Sequence, residues 1–128
     1  MNWVIVGAVS GFLGVATGAF GAHGLKERLD AYSLGIWQTA VQYQMWHAAA
    51  LVLVGLLARF AVSESTATVS SLAGWAFLMG TLLFSGSLYV LALSGIKWLG
   101  AVTPLGGVGF LVGWAALAML GLRLGSPS

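Results

Sequence analysis

The sequence predicts an all-α, polytopic membrane protein: a four-transmembrane-helix bundle with a short amphipathic interfacial segment between helices 1 and 2. Three observations predict it. Only 6% of the 128 residues are charged, while 59% are hydrophobic. An ordinary soluble domain carries about 25% charged residues, and a chain this small has too much surface for so few polar groups to cover. Second, four apolar stretches follow one another, each close to the roughly 20 residues a helix needs to cross about 30 Å of hydrocarbon. Third, the charged side chains fall between these stretches or at their ends. The whole chain, 1–128, is then a single transmembrane domain.

The first span is expected at about 3–22, broken only by Ser10 and Thr17. It differs from a secretory signal in lacking a basic side chain before it and in exceeding the length of a signal core, so a retained helix is expected. Between the first two spans, Leu25, Leu29, Tyr32 and Ile36 recur at helical spacing, with Lys26, Glu27, Asp30 and Ser33 off that stripe. This pattern suits a short amphipathic helix lying among the headgroups, with Lys26 and Asp30 as an i,i+4 pair. The second span is expected at about 37–60, closing near Arg59. A polar connection, Ser63 to Thr68, separates it from the third at about 71–93. Lys97 marks a turn, and the fourth span covers about 99–122, followed by Arg123 and a Gly-Ser-Pro-Ser tail.

Four spans put both termini and the 61–70 connection on one side, A, and the 23–36 and Lys97 connections on the other, B. Trp3 and Trp75 then fall near A, and Trp37 and Trp98 near B, as aromatic belts require. Trp46 and Trp114 do not fit a belt and are read as packing or lipid-facing residues. Lys26, Arg28 and Lys97 on B balance Arg59, Arg123 and the amino terminus on A, so charge selects no orientation.

Glycines fall at Gly7, Gly11, Gly14, Gly18 and Gly21 in the first span, and at Gly106, Gly109 and Gly113 in the fourth. Such seams let backbones approach closely where lipid tails give no hydrophobic drive to association. Each glycine is unfavourable by up to about 1 kcal/mol in helix propensity, so a run in register implies a use. The first and fourth spans are expected to pack together, with a second copy of the chain as the other partner open to the first seam. Pro104, read as one turn inside the fourth span, is expected to kink it.

The second span is polar in its first half: Gln38, Thr39, Gln42, Tyr43, Gln44 and His47. His47 lies roughly 15 Å from Trp37, near the bilayer midplane. A polar group at that depth must face the bundle interior. Matched by depth, Ser85, Tyr89, Thr103 and His23 complete a candidate intramembrane cluster on side B. Thr39, Tyr43 and His47 are read as its stripe. The cluster has two readings, interior hydrogen bonding that fixes helix order, or a small polar cavity for a solute or proton.

Chemistry is limited elsewhere. No cysteine is present, which excludes disulfides and thiol or Cys-metal sites. A formal net charge of +2 from scattered bases forms no nucleic-acid surface. Two histidines without a carboxylate beside them make a poor metal site. Ser85 or Ser87 with His47 lacks an orienting acid. Gly106-Gly107-Val108-Gly109 lacks the strand a phosphate loop needs. No catalytic residue, metal or cofactor is assigned, and the chain is not expected to be an enzyme.

Four segments also carry a resemblance: Gly18-Ala19-Phe20-Gly21-Ala22-His23-Gly24-Leu25, then Trp37 to Gln44 with His47, then Phe84-Ser85-Gly86-Ser87-Leu88-Tyr89, and Thr103-Pro104-Leu105-Gly106-Gly107. In order, they resemble the domain-of-unknown-function 423 family, also called uncharacterised protein family 0382, of small bacterial inner-membrane proteins. The resemblance implies four spans and a bacterial plasma-membrane location, and it supplies no catalytic residue. The expected function is therefore a structural, assembly or accessory role through helix–helix contacts. A solute or proton pathway at His47, and lipid sensing through the 25–36 segment, are the alternatives. The expected partners are the bilayer, and a second copy or a larger membrane complex.

Overall fold

The computed structural model describes residues 1–126; Pro127 and Ser128, the end of the expected tail, lie outside them. Four helices result: α1 (Trp3–Phe20), α2 (Ala31–Leu57), α3 (Glu64–Ser94) and α4 (Thr103–Leu124). With their continuations they form four stretches long and apolar enough to cross a membrane, Trp3–Leu25, Ala31–Phe60, Glu64–Ser94 and Lys97–Leu124.

Local chemistry sets the ends. Asn2, Asp30 and Ser63 cap α1, α2 and α3, each side chain accepting from a backbone N–H three residues on. These acceptors satisfy donors the first helical turn leaves unpaired. Ser65 to Thr68, expected in a connection, are therefore already helical, because Ser63 opens α3 ahead of them. At the far end Gly95 adopts φ 71°, a left-handed stop whose N–H bonds to Leu91.

The 25–36 segment departs from expectation. Instead of an interfacial helix, α1 runs on through a wide helical turn, Gly21–Leu25, and α2 begins at Ala31. Residues 26–30 are a turn, so Lys26 and Asp30 are not one helical step apart. Leu25 packs inward with Trp37 and Ala92, and Leu29 and Ile36 lie against them. Tyr32 is left exposed. The apolar stripe is the inner side of a tight helix-to-helix return.

The close pairs are α1–α2, α2–α3 and α3–α4. The two glycine seams therefore do not meet each other. The seam of α1 lies on α2: a Cβ on Gly7 would stand 2.7 Å from the Ala48 carbonyl oxygen and the Val52 nitrogen, and Gly18 and Gly21 face Val41 and Trp37. Gly14 faces Met45, and a Cβ added at Gly11 would stand 3.8 Å from the Ala48 Cβ. The seam of α4 lies on α3: Gly106 against the Phe84 backbone, Gly109 on Gly80, whose Cα a Cβ added at Gly109 would approach to 3.1 Å, and Gly113 on the Phe77 ring. Short connections make sequence neighbours antiparallel partners, and each seam is spent on the neighbour. Pro104 stands in the first turn of α4, where a missing N–H breaks no helical bond; it starts the helix and does not kink it.

The side-A core gathers Trp3, Leu51, Val54, Ala73, Phe77, Phe110 and Leu120. Trp3 opens α1, but α2 begins at Ala31 and Trp37 stands in its second turn, and both are buried where a belt would expose them. Trp3 packs over Gly74 and edge-on to Trp75, with centroids 5.3 Å apart. Trp98 remains exposed.

Candidate functional site

The inward stripe of α2 is Ala40, Gln44, His47, Leu51 and Val54, all buried. Of the Thr39–Tyr43–His47 stripe expected, it keeps His47 and replaces Thr39 and Tyr43 by the residues that follow them, Ala40 and Gln44. Thr39 turns back to the Gly35 carbonyl, and Tyr43 is 41% exposed. Gln44 and His47 enter two separate constellations.

The first joins α1, α2 and α3. The Tyr89 hydroxyl donates to Gln44 Oε1 at 2.6 Å, and Thr17 Oγ1 lies 3.0 Å from the Tyr89 oxygen. Gln44 Nε2 donates to the Ser10 carbonyl at 2.9 Å, across to α1. Trp37 Nε1 donates to the Thr17 carbonyl at 2.8 Å, and its ring meets Tyr89 edge-on. A buried amide is thus satisfied at both its oxygen and its nitrogen by other helices. Ser10 Oγ, beside it, is buried with no partner among the described residues.

The second joins α2, α3 and α4. His47 is 5% exposed. Its Nε2 accepts from Trp114 Nε1 at 3.1 Å, which places the proton on Nδ1, where it donates to the Tyr43 carbonyl at 2.6 Å. The imidazole lies flat on Phe110, with centroids 3.5 Å apart and planes 6° apart, and Phe77 and Trp114 close its other sides. Both nitrogens are occupied in the neutral tautomer, an arrangement suited to holding helices together.

Two smaller links complete the interior. Ser85 Oγ donates to the Ala40 carbonyl at 2.8 Å, pinning α3 to α2. Ser87 Oγ lies 2.6 Å from Thr103 Oγ1 and joins α3 to the start of α4.

The expected cluster is therefore divided. Gln44 and Tyr89 meet, and Ser85 and Thr103 pair with other groups nearby. His47 belongs to a different contact. His23 is exposed on the connecting turn, and Gln38 and Gln42 are exposed on the outer side of α2. Thr17, Ser10 and Trp114 were missed as participants. Depth could have found Trp114: it lies about eleven residues into α4, near the level of His47. Among the described residues, no three His, Cys, Asp or Glu side chains converge as a metal site would require.

Outside this interior, a groove of about 310 Å³ opens on the membrane-facing side, lined by Gln42, Tyr43, Trp46, His47 and Trp114. A second of about 230 Å³ lies on the other flank of Gln42, between α1 and α2, with Gly18, Gly21 and Ala22 as its low wall.

Four apolar spans tied by polar contacts between helices define a small integral membrane protein. Residues 17–107 match the family model described as Protein of unknown function (DUF423), and the chain belongs to that family. It is similar to a UPF0382 membrane protein of Staphylococcus epidermidis, 43% identical over 121 residues, which cover 94% of this chain and 95% of the relative. It is likewise similar to the UPF0382 membrane protein YwdK of Bacillus subtilis, at 42% identity over 121 residues and 94% and 96% coverage. A relative from Staphylococcus saprophyticus is 44% identical over 117 residues, covering 91% and 93%. No solved structure matches.

Proposed function

We propose that this protein is a non-catalytic accessory or assembly component of the bacterial plasma membrane, working through lateral contacts between helices. One observation carries the reading: the buried side chains of Gln44, His47 and Ser85 are hydrogen-bonded within the bundle, while Gln38 and Gln42 stand exposed on the outer side of α2 without a hydrogen-bond partner among the described residues. An unpaired amide facing hydrocarbon is unfavourable by several kcal/mol by transfer measures, so this surface favours a polar partner over acyl chains. The bacterial membrane proteins to which the chain is similar support the location.

Chemical cross-linking in native membranes, followed by purification in mild detergent, tests the reading. Association of the chain with itself or with a defined partner is expected. A particle holding a single chain, with no cross-linked product, overturns it. The groove beside His47 favours a second reading, a solute or proton path. Liposome flux compared between the natural chain and His47→Ala decides that one, and equal flux in both removes it.

A further inference from the structure

From the outer surface of α2 we infer that this protein pairs with a second copy of itself, α2 against α2, through Gln38 and Gln42. The inference deepens the reading of a laterally associating membrane component and rests on it.

The stripe concerned is Gly35, Gln38, Gln42, Trp46, Ala49 and Leu53, all exposed. Its spacing of 3, 4, 4, 3 and 4 keeps it on one side of the helix, close to the 3.5-residue repeat of left-handed helix pairs. Ala31–Phe60 is the spanning stretch. Gln42 lies roughly 16 Å and Trp46 roughly 22 Å from its start, both within the hydrocarbon. Three groups on this stripe carry donors with no acceptor among the described residues: the two glutamine amides and the indole N–H of Trp46, which is 65% exposed. The contrast with Trp37 and Trp114 is direct, because both of those indoles donate inside the bundle.

Symmetry selects the partner. Copies inserted with the same topology are related by a two-fold axis along the membrane normal, which sets each residue opposite its own counterpart at the same depth. An amide offers both donor and acceptor. Gln42 opposite Gln42 and Gln38 opposite Gln38 are therefore complementary without any other chain. Access suits a helix too, since Gly35 and Ala49 are small and Gly18, Gly21 and Ala22 leave the neighbouring wall low. A second copy also fits better than a lone lipid, whose ester carbonyls lie at the membrane surface and not at the depth of Gln42.

The chain contains no cysteine, so single cysteines report contacts without background. Gly35→Cys and Ala49→Cys, oxidised in native membranes, are expected to form disulfide-linked products of twice the chain mass. Phe12→Cys, on the exposed outer side of α1, is expected to form none. In vesicles of defined lipid, Gln38→Leu with Gln42→Leu should weaken pairing roughly tenfold in protein-to-lipid ratio, with the thermal unfolding of the bundle unchanged. Cross-linking of Ala49→Cys only to a different protein overturns self-pairing and leaves lateral association standing. No product from either stripe cysteine overturns self-pairing through α2, whereas only a single-chain particle without any cross-linked product overturns lateral association. Cross-linking as strong through Phe12→Cys, or pairing indifferent to the double leucine variant, overturns the role assigned to α2.

Discussion

Two adjacent glycines on α4 should respond to alanine with opposite signs. At Gly106 an added Cβ would fall on the backbone of Phe84, 2.7 Å from its Cα and closer still to its nitrogen. Carbon atoms prefer about 3.5–4.0 Å, so α3 and α4 must separate by roughly an ångström at this crossing. Backbone cannot rotate away as a side chain can. The separation also loosens the close packing of Gly109 on Gly80 and the Ser87–Thr103 pair at 2.6 Å. Overpacking of this kind is unfavourable by about 1–3 kcal/mol, occasionally more. Alanine returns at most about 1 kcal/mol in helix propensity, so the clash wins. At Gly107 nothing lies within 4 Å, and only the propensity gain remains. Thermal unfolding in detergent micelles, followed by circular dichroism, should rank Gly107→Ala at or above the natural chain and Gly106→Ala well below it. Equal melting of the two variants, or a more stable Gly106→Ala, would refute the close α3–α4 crossing.

Tyr89→Phe should destabilise the bundle by about 1–2 kcal/mol, because it leaves the buried Gln44 oxygen unpaired; adding Thr17→Val should have less than its separate effect in a double-mutant cycle. Ser10→Ala removes a buried hydroxyl without a partner among the described residues and should leave the unfolding free energy unchanged or raise it by about 1 kcal/mol at most, read from the melting curve. Trp114→Phe should cost His47 Nε2 its donor, destabilising by about 1 kcal/mol, with little change in micelle-bound helix content. Asp30 lies outside the spans, and the Ser33 backbone N–H bound to it holds its carboxyl below the ordinary value of 3.8. Because the folded value is the lower one, the stabilisation is present above the unfolded value and is lost as pH falls through the folded one. The protection factor of the Ser33 amide hydrogen, its exchange rate set against the intrinsic rate at each pH, should therefore fall as pH drops below the ordinary value of 3.8, and Asp30→Asn should flatten that dependence; an amide equally protected at all pH values counts against the cap.

The sequence by itself determined the class and the number of crossings. Apolar length and the scarcity of charge are summed over whole segments, and no partner needs to be known to count them. It also singled out groups that the structure places between helices: the glycine seams of the first and fourth spans, Gln44, His47, Ser85 and Tyr89. What each would meet was decided only in three dimensions. A 3.5-residue repeat of glycines shows that one side of a helix is smooth, but either neighbour can lie on it. The short connections gave α1 to α2 and α4 to α3. Depth matching grouped His47 with Tyr89, yet rotation about the helix axis separates them. The step of about 100° per residue that turns Gln44 toward α1 and α3 turns His47 toward Trp114 of α4 and leaves Gln42 outside. That rotation is set by which surfaces of four helices pack closest, a property of all of them jointly, and no single segment of the chain contains it.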